Sequence, residues 1–134
     1  MYEFHGWLMV DGAVDGTGQI DDRLTALVGT GPDDFGTICE LRLTSNNLLV
    51  LVAHGMRNRC HEPVLRIFKG VAGAWPESYG LLYIRDENDA ARSNEFQVFR
   101  FARGIVEALP DPFLSPCIPV IEPPHDESAD SEED

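Results

Sequence analysis

A chain of 134 residues, 43% hydrophobic and 25% charged, has room for one core of ordinary size and too little for two. No apolar run reaches the about 18 to 20 residues of a membrane-spanning helix, the opening MYEFHGW lacks the basic start of a signal peptide, and three widely spaced cysteines (Cys39, Cys60, Cys117) argue against a disulfide framework. The formal net charge of −13 disfavours nucleic acid as a partner, and a cytoplasmic protein with buried thiols is expected.

Residues 2–10 alternate as a strand does, Phe4, Gly6 and Leu8 against Glu3, His5 and Trp7, and Asp11 to Gly18 is turn chemistry. In GQIDDRLTALVG the spacing of Ile20, Leu24, Leu27 and Val28, with Asp21 and Asp22 in the first turn, predicts an amphipathic helix stopped by Gly29 to Pro32. After the GPDDFG loop, TICELRL reads as a strand with one wet face. SNN turns the chain into LLVLVA, whose continuous apolar run predicts a strand buried on both faces and paired to the one before.

Pro63 suits a first helical turn, and Val64, Leu65, Phe68, Val71, Ala72 and Trp75 make one apolar stripe, so a second helix is expected up to Pro76. SYGLLYIRD is a further buried strand, DENDAARSN a polar turn, and EFQVFRFARGIVEAL one or two more strands. The order βαββαββ points to a single α+β domain over residues 1–121. It has a mainly antiparallel sheet of about five to six strands, two helices on one face, and a pattern ferredoxin-like in part. If Phe4, Gly6 and Leu8 face the helices, His5 and Trp7 sit on the open face. Residues 122–134, EPPHDESADSEED, hold seven of the 23 acids and no Lys or Arg, which predicts a disordered acidic tail that repels itself and buries little.

No catalytic constellation can be assembled. His54, Cys60 and His61 fall close in sequence but match no standard zinc spacing, and Asp86, Glu87 and Asp89 lack the glycine-centred pattern of a calcium loop. Ser78 and Ser93 stand outside any nucleophile elbow, and GVAGAWPESYG has neither the Lys nor the Ser/Thr of a phosphate loop. No metal, cofactor or enzymatic activity is expected. A mixture of Trp7 with Tyr79, Tyr83 and Arg85 on the open face would be the composition of a binding hot spot, provided that the C-terminal segment does not fold over it as a second small core.

YEFHGW at 2–7, SYGLLYIRDEND at 78–89, and NEFQVF followed by ARG and DPFLSPCIPVIE within 94–122 together resemble the immunity protein 7 family of bacterial polymorphic toxin systems. Trp7, Arg85, Asp86, Asp111 and Phe113 stand at family-like positions. The resemblance covers residues 2 to about 122 and implies a non-enzymatic antitoxin that binds and blocks a cognate toxin domain, encoded by the adjacent gene. Trp7, Tyr83 and Arg85 are the expected contacts, with Asp86 and Glu87 as steering charge, and an acidic surface would be drawn to a basic toxin. The element order alone also permits a small-ligand regulatory domain of ferredoxin-like architecture.

Overall fold

Along the strand Tyr2–Met9 (β1), Tyr2, Phe4, Gly6 and Leu8 are buried, Glu3, His5 and Met9 are half-buried, and Trp7 is exposed. This period of two is the mark of a strand with one face on the core. The computed structural model describes residues 2–29, 39–57 and 62–124. It continues with α1 (Asp22–Gly29), β2 (Cys39–Leu43), β3 (Leu49–Arg57), α2 (Glu62–Ala74), β4 (Tyr79–Asp86), β5 (Gln97–Ala102), β6 (Ile105–Pro110) and a short turn of helix, α3 (Cys117–Val120).

The sheet is antiparallel throughout, in the order β2-β3-β1-β4-β5-β6. Its first four strands and two longer helices interleave as the expected split βαβ pattern, with β1 between β3 and β4. The segment after the polar turn forms two strands and not one. They are joined at Arg103 and Gly104, both at positive φ (55° and 75°), the left-handed pair that a two-residue hairpin turn demands. α2 buries the whole predicted stripe, Val64 through Trp75, and Phe68 lies against Phe101 of β5 with ring centroids 5.7 Å apart.

Two expectations are corrected. The first helix starts later than its periodicity suggests, because Ile20 bridges back to Val14 around a turn in which the Asp15 carboxylate accepts the Thr17 and Gln19 N–H groups. Asp21 then becomes the cap, its carboxylate accepting the Arg23 N–H at 2.9 Å. The apolar run of β3 is also not sealed on both faces: Leu49, Leu51 and Ala53 are buried on the side that α1 and α2 cover, whereas Val50 and Val52, on the other side, are half-buried.

The sheet is drawn tight where β1 crosses β4. Leu8 pairs with Gly80, and a Cβ at residue 80 would run into the Trp7 carbonyl, so only glycine permits the approach. Cys39 and Cys117 are buried free thiols, as expected, and burial pushes Cys39 up to about 11. Cys60 and the acidic tail from His125 onward lie outside the described residues.

Candidate functional site

Register assembles the open face into rows that no single segment of sequence contains. His5 stands between His54 of β3 and Tyr83 of β4, and Trp7 stands between Val52 and Leu81. The two rows border an apolar concavity of about 360 Å³ lined by His5, Trp7, Val52, Tyr83, Phe96 and Leu114 among others. Phe96 sets its edge against both Tyr83 and His5, at centroid distances of 5.8 and 6.3 Å. Trp7 remains 42% exposed and Tyr79 49%, and their rings meet edge to face at 6.0 Å. A polar thread borders the hollow: the Glu3 carboxylate lies 2.6 Å from His5 Nε2, and His5 Nδ1 lies 3.0 Å from His54 Nδ1.

The C-terminal segment, Asp111 to Glu122, closes the far end of this face. The Asp111 carboxylate, itself buried, accepts the Phe113 and Leu114 N–H groups and the Ser115 hydroxyl, while the Ser115 oxygen accepts the Phe96 N–H. Asn94 grips Ile118 twice, accepting its N–H and donating to its carbonyl. Beneath the segment lies Arg85, 5% exposed, whose guanidinium donates to the Ser93 carbonyl and to Glu122, each at 2.9 Å. Burial of the Tyr83 phenol, reinforced by the Asp111 charge, raises its pKa above the usual value.

The fold places this aromatic hollow on the side of the sheet opposite α1 and α2, and the described residues contain no group of three or more metal-ligating side chains fit to hold an ion. Compared with known protein families, residues 1–123 match the family model described as Immunity protein 7. The chain belongs to the immunity protein 7 family. No curated protein and no solved structure matches it. Membership implies the role of an immunity protein, with a cognate toxin as the partner and a function that is generally non-enzymatic. Among the described residues no helix is long and apolar enough to cross a membrane.

The residues singled out in this immunity protein 7 chain divide by position. Trp7 and Tyr83 share the hollow, as the alternation of β1 and β4 requires. Arg85 is on the same side of the sheet but under the C-terminal segment, so the alternative of a second small core holds over one end of the face and spares the other. Asp86 points to the opposite side, lining a cleft with Leu65 of α2 and Ile84. Glu87 is exposed in the following turn. Asp86 and Asp89 accept the Asn88 and Ala91 N–H groups, which is turn capping.

Ser78 is buried and accepts the Asp11 N–H, a structural duty. Cys60 and His61 lie outside the described residues, while His54 turns to His5. Phe96, Leu114 and the His5–His54 contact were not legible beforehand. The acid, imidazole and indole of YEFHGW pointed at the face, but their partners come from β3, β4, Phe96 just before β5 and the C-terminal segment, which only tertiary pairing brings in.

Proposed function

We propose that this protein neutralises its toxin by binding the toxin domain with the open face of the sheet. The contact centres on Trp7 and Tyr83, and Tyr79, Phe96 and Leu114 extend it. The observation that carries this reading is the exposed aromatic hollow itself, on the side of the sheet opposite α1 and α2, in a member of a family of immunity proteins. Exposed apolar groups clustered this way mark binding sites, and Trp and Tyr dominate binding hot spots.

The partner is a basic domain. A chain of net charge −13 steers a cationic surface toward itself, and rim acids such as Glu87 act chiefly on association rate and salt dependence. Arg85 contributes by holding the C-terminal segment in place beside the hollow, and Asp86, on the other side of the sheet, takes no direct part. Inhibition is by protein–protein contact in the cytoplasm, with affinity in the nanomolar range or tighter, about −12 kcal/mol.

The test is co-expression of the toxin domain encoded by the adjacent gene with and without this protein, scoring growth and co-purification. Rescue with a stable complex is expected. Rescue without a complex would overturn inhibition by binding, and absence of both would overturn the pairing with that toxin.

A further inference from the structure

We infer that the hollow seats an arginine side chain of the toxin domain, with Nε2 of His54 as the acceptor for its guanidinium. This rests on the open face being the toxin-binding surface and adds the chemistry of the group that enters it. The Glu3 carboxylate, 2.6 Å from Nε2 of His5, accepts a hydrogen from it, so His5 keeps its lone pair on Nδ1. The two imidazoles meet head-on, with ring centroids 5.3 Å and Nδ1 atoms 3.0 Å apart, and a contact of that kind holds a single hydrogen. His54 supplies it, donating Nδ1–H to His5.

The thread therefore ends in an acceptor of fixed position. With its hydrogen on Nδ1, His54 has its lone pair on Nε2; the ring is exposed and lines the hollow, and among the described residues nothing hydrogen-bonds to that nitrogen. The carboxylate behind His5 pushes electron density outward along the chain of hydrogen bonds, which strengthens Nε2 of His54 as an acceptor.

A cationic donor suits this surface. Trp7, the ring type that attracts cations most strongly, lines the same hollow and is 42% exposed. Neither Lys nor Arg stands among the described residues that line it, and the net charge of −13 favours a positive group. A guanidinium fits better than an ammonium, being flat enough to stack on an aromatic ring and weakly enough hydrated to enter an apolar hollow, while its alkyl stem packs on Val52 and Leu114. A second copy of this chain is the poorer occupant, because two chains of −13 repel each other.

The test begins with nitrogen NMR of the free, unaltered chain at pH 8, where His5 should carry its hydrogen on Nε2 and His54 on Nδ1. On addition of the toxin domain encoded by the adjacent gene, the His54 Nε2 signal should move as that of a hydrogen-bond acceptor does. Calorimetry with the same domain then compares His54→Phe, an aromatic ring without an acceptor, with His54→Gln, whose amide oxygen still accepts. The first should weaken binding by about 10- to 100-fold and the second should recover most of the loss. Among alanine variants of the toxin domain's arginines, one should weaken binding strongly against the unaltered chain and at least about 10-fold less against His54→Phe. A hydrogen on Nε2 of His54, an unmoved signal, or coupling to a lysine in place of an arginine would each overturn the assignment. Normal binding by His54→Phe alongside weakened binding by Trp7→Ala would leave the open face as the interface and give the hollow to an apolar group. Normal binding by both variants, or no binding by the unaltered chain, would overturn the interface and this inference together.

Discussion

Replacing Trp7 with alanine separates an interface residue from a core residue. A tryptophan carries up to about 250 Å² of accessible surface, so the exposed 42% leaves about 100 Å² for a partner to cover and about 150 Å² already in contact with the protein. At about 25 cal/mol per Å², covering the exposed part contributes about 2.5 kcal/mol to binding, which is about 60-fold in Kd. The same coefficient sets an upper bound of about 3 to 4 kcal/mol on the folding cost. The true cost should fall nearer 2 kcal/mol, because Cβ stays and Tyr79 and Val52 relax toward the gap. A domain of ordinary stability survives that loss.

The assay pairs thermal unfolding with calorimetric or surface-based titration of the toxin domain, and Leu48→Ala, exposed in the β2–β3 turn, serves as control. Trp7→Ala should fold cooperatively and bind about 60-fold more weakly, while the control binds normally. Binding within threefold of the unaltered chain by a folded Trp7→Ala would refute the placement of the interface on this face. A variant that does not fold would show Trp7 to be a core residue despite its exposure.

Gly80→Ala should cost more than about 3 kcal/mol or abolish folding, because its Cβ meets the backbone of Trp7 and no side chain can yield; denaturant melts decide it. Arg85→Ala should cost about 3 kcal/mol by leaving the Ser93 carbonyl and Glu122 without their donor, whereas Glu122→Gln, at a half-exposed carboxylate, should cost less than about 1 kcal/mol; equal losses would contradict the buried-clamp reading. The Cys39 thiol, held neutral up to about pH 11 by burial, should resist alkylation in the folded protein at pH 8 and react on unfolding. The sign follows from the raised value. The stabilisation from keeping this thiol neutral is fully present below the ordinary thiol pKa and is lost as pH rises toward 11, so a Cys39→Ser variant should show a shallower alkaline decline in stability.

Much of the architecture was written locally. The alternation in YEFHGW, the apolar stripe from Val64 to Trp75 after Pro63, and the glycine-bearing Arg103–Gly104 turn each constrain a few neighbouring residues through side-chain period and backbone sterics. They specified an α+β chain with a helix-covered face and an open one. Even the separation of Arg85 from Asp86 onto opposite sides of the sheet was implicit in the period of two along β4. The start of α1 was misjudged because Asp21 satisfies helix N–H groups from outside the helix as readily as it suits a first turn, and the bridge from Ile20 to Val14 decided between them.

The site belongs to the tertiary level. His5 meets His54 only because β1 pairs with β3 in one register, 49 residues apart in the chain; a slip of one residue would turn every side chain of that strand to the other face. Arg85 is buried and Trp7 exposed, though both stand on the same side of the sheet, because the C-terminal segment anchored by Asp111, Ser115 and Asn94 crosses one end of that face and stops short of the other. Sequence pattern determines which way a side chain points, through interactions a few residues long. What lies over it depends on segments far along the chain, and that coverage decides here which aromatic groups are left for a partner.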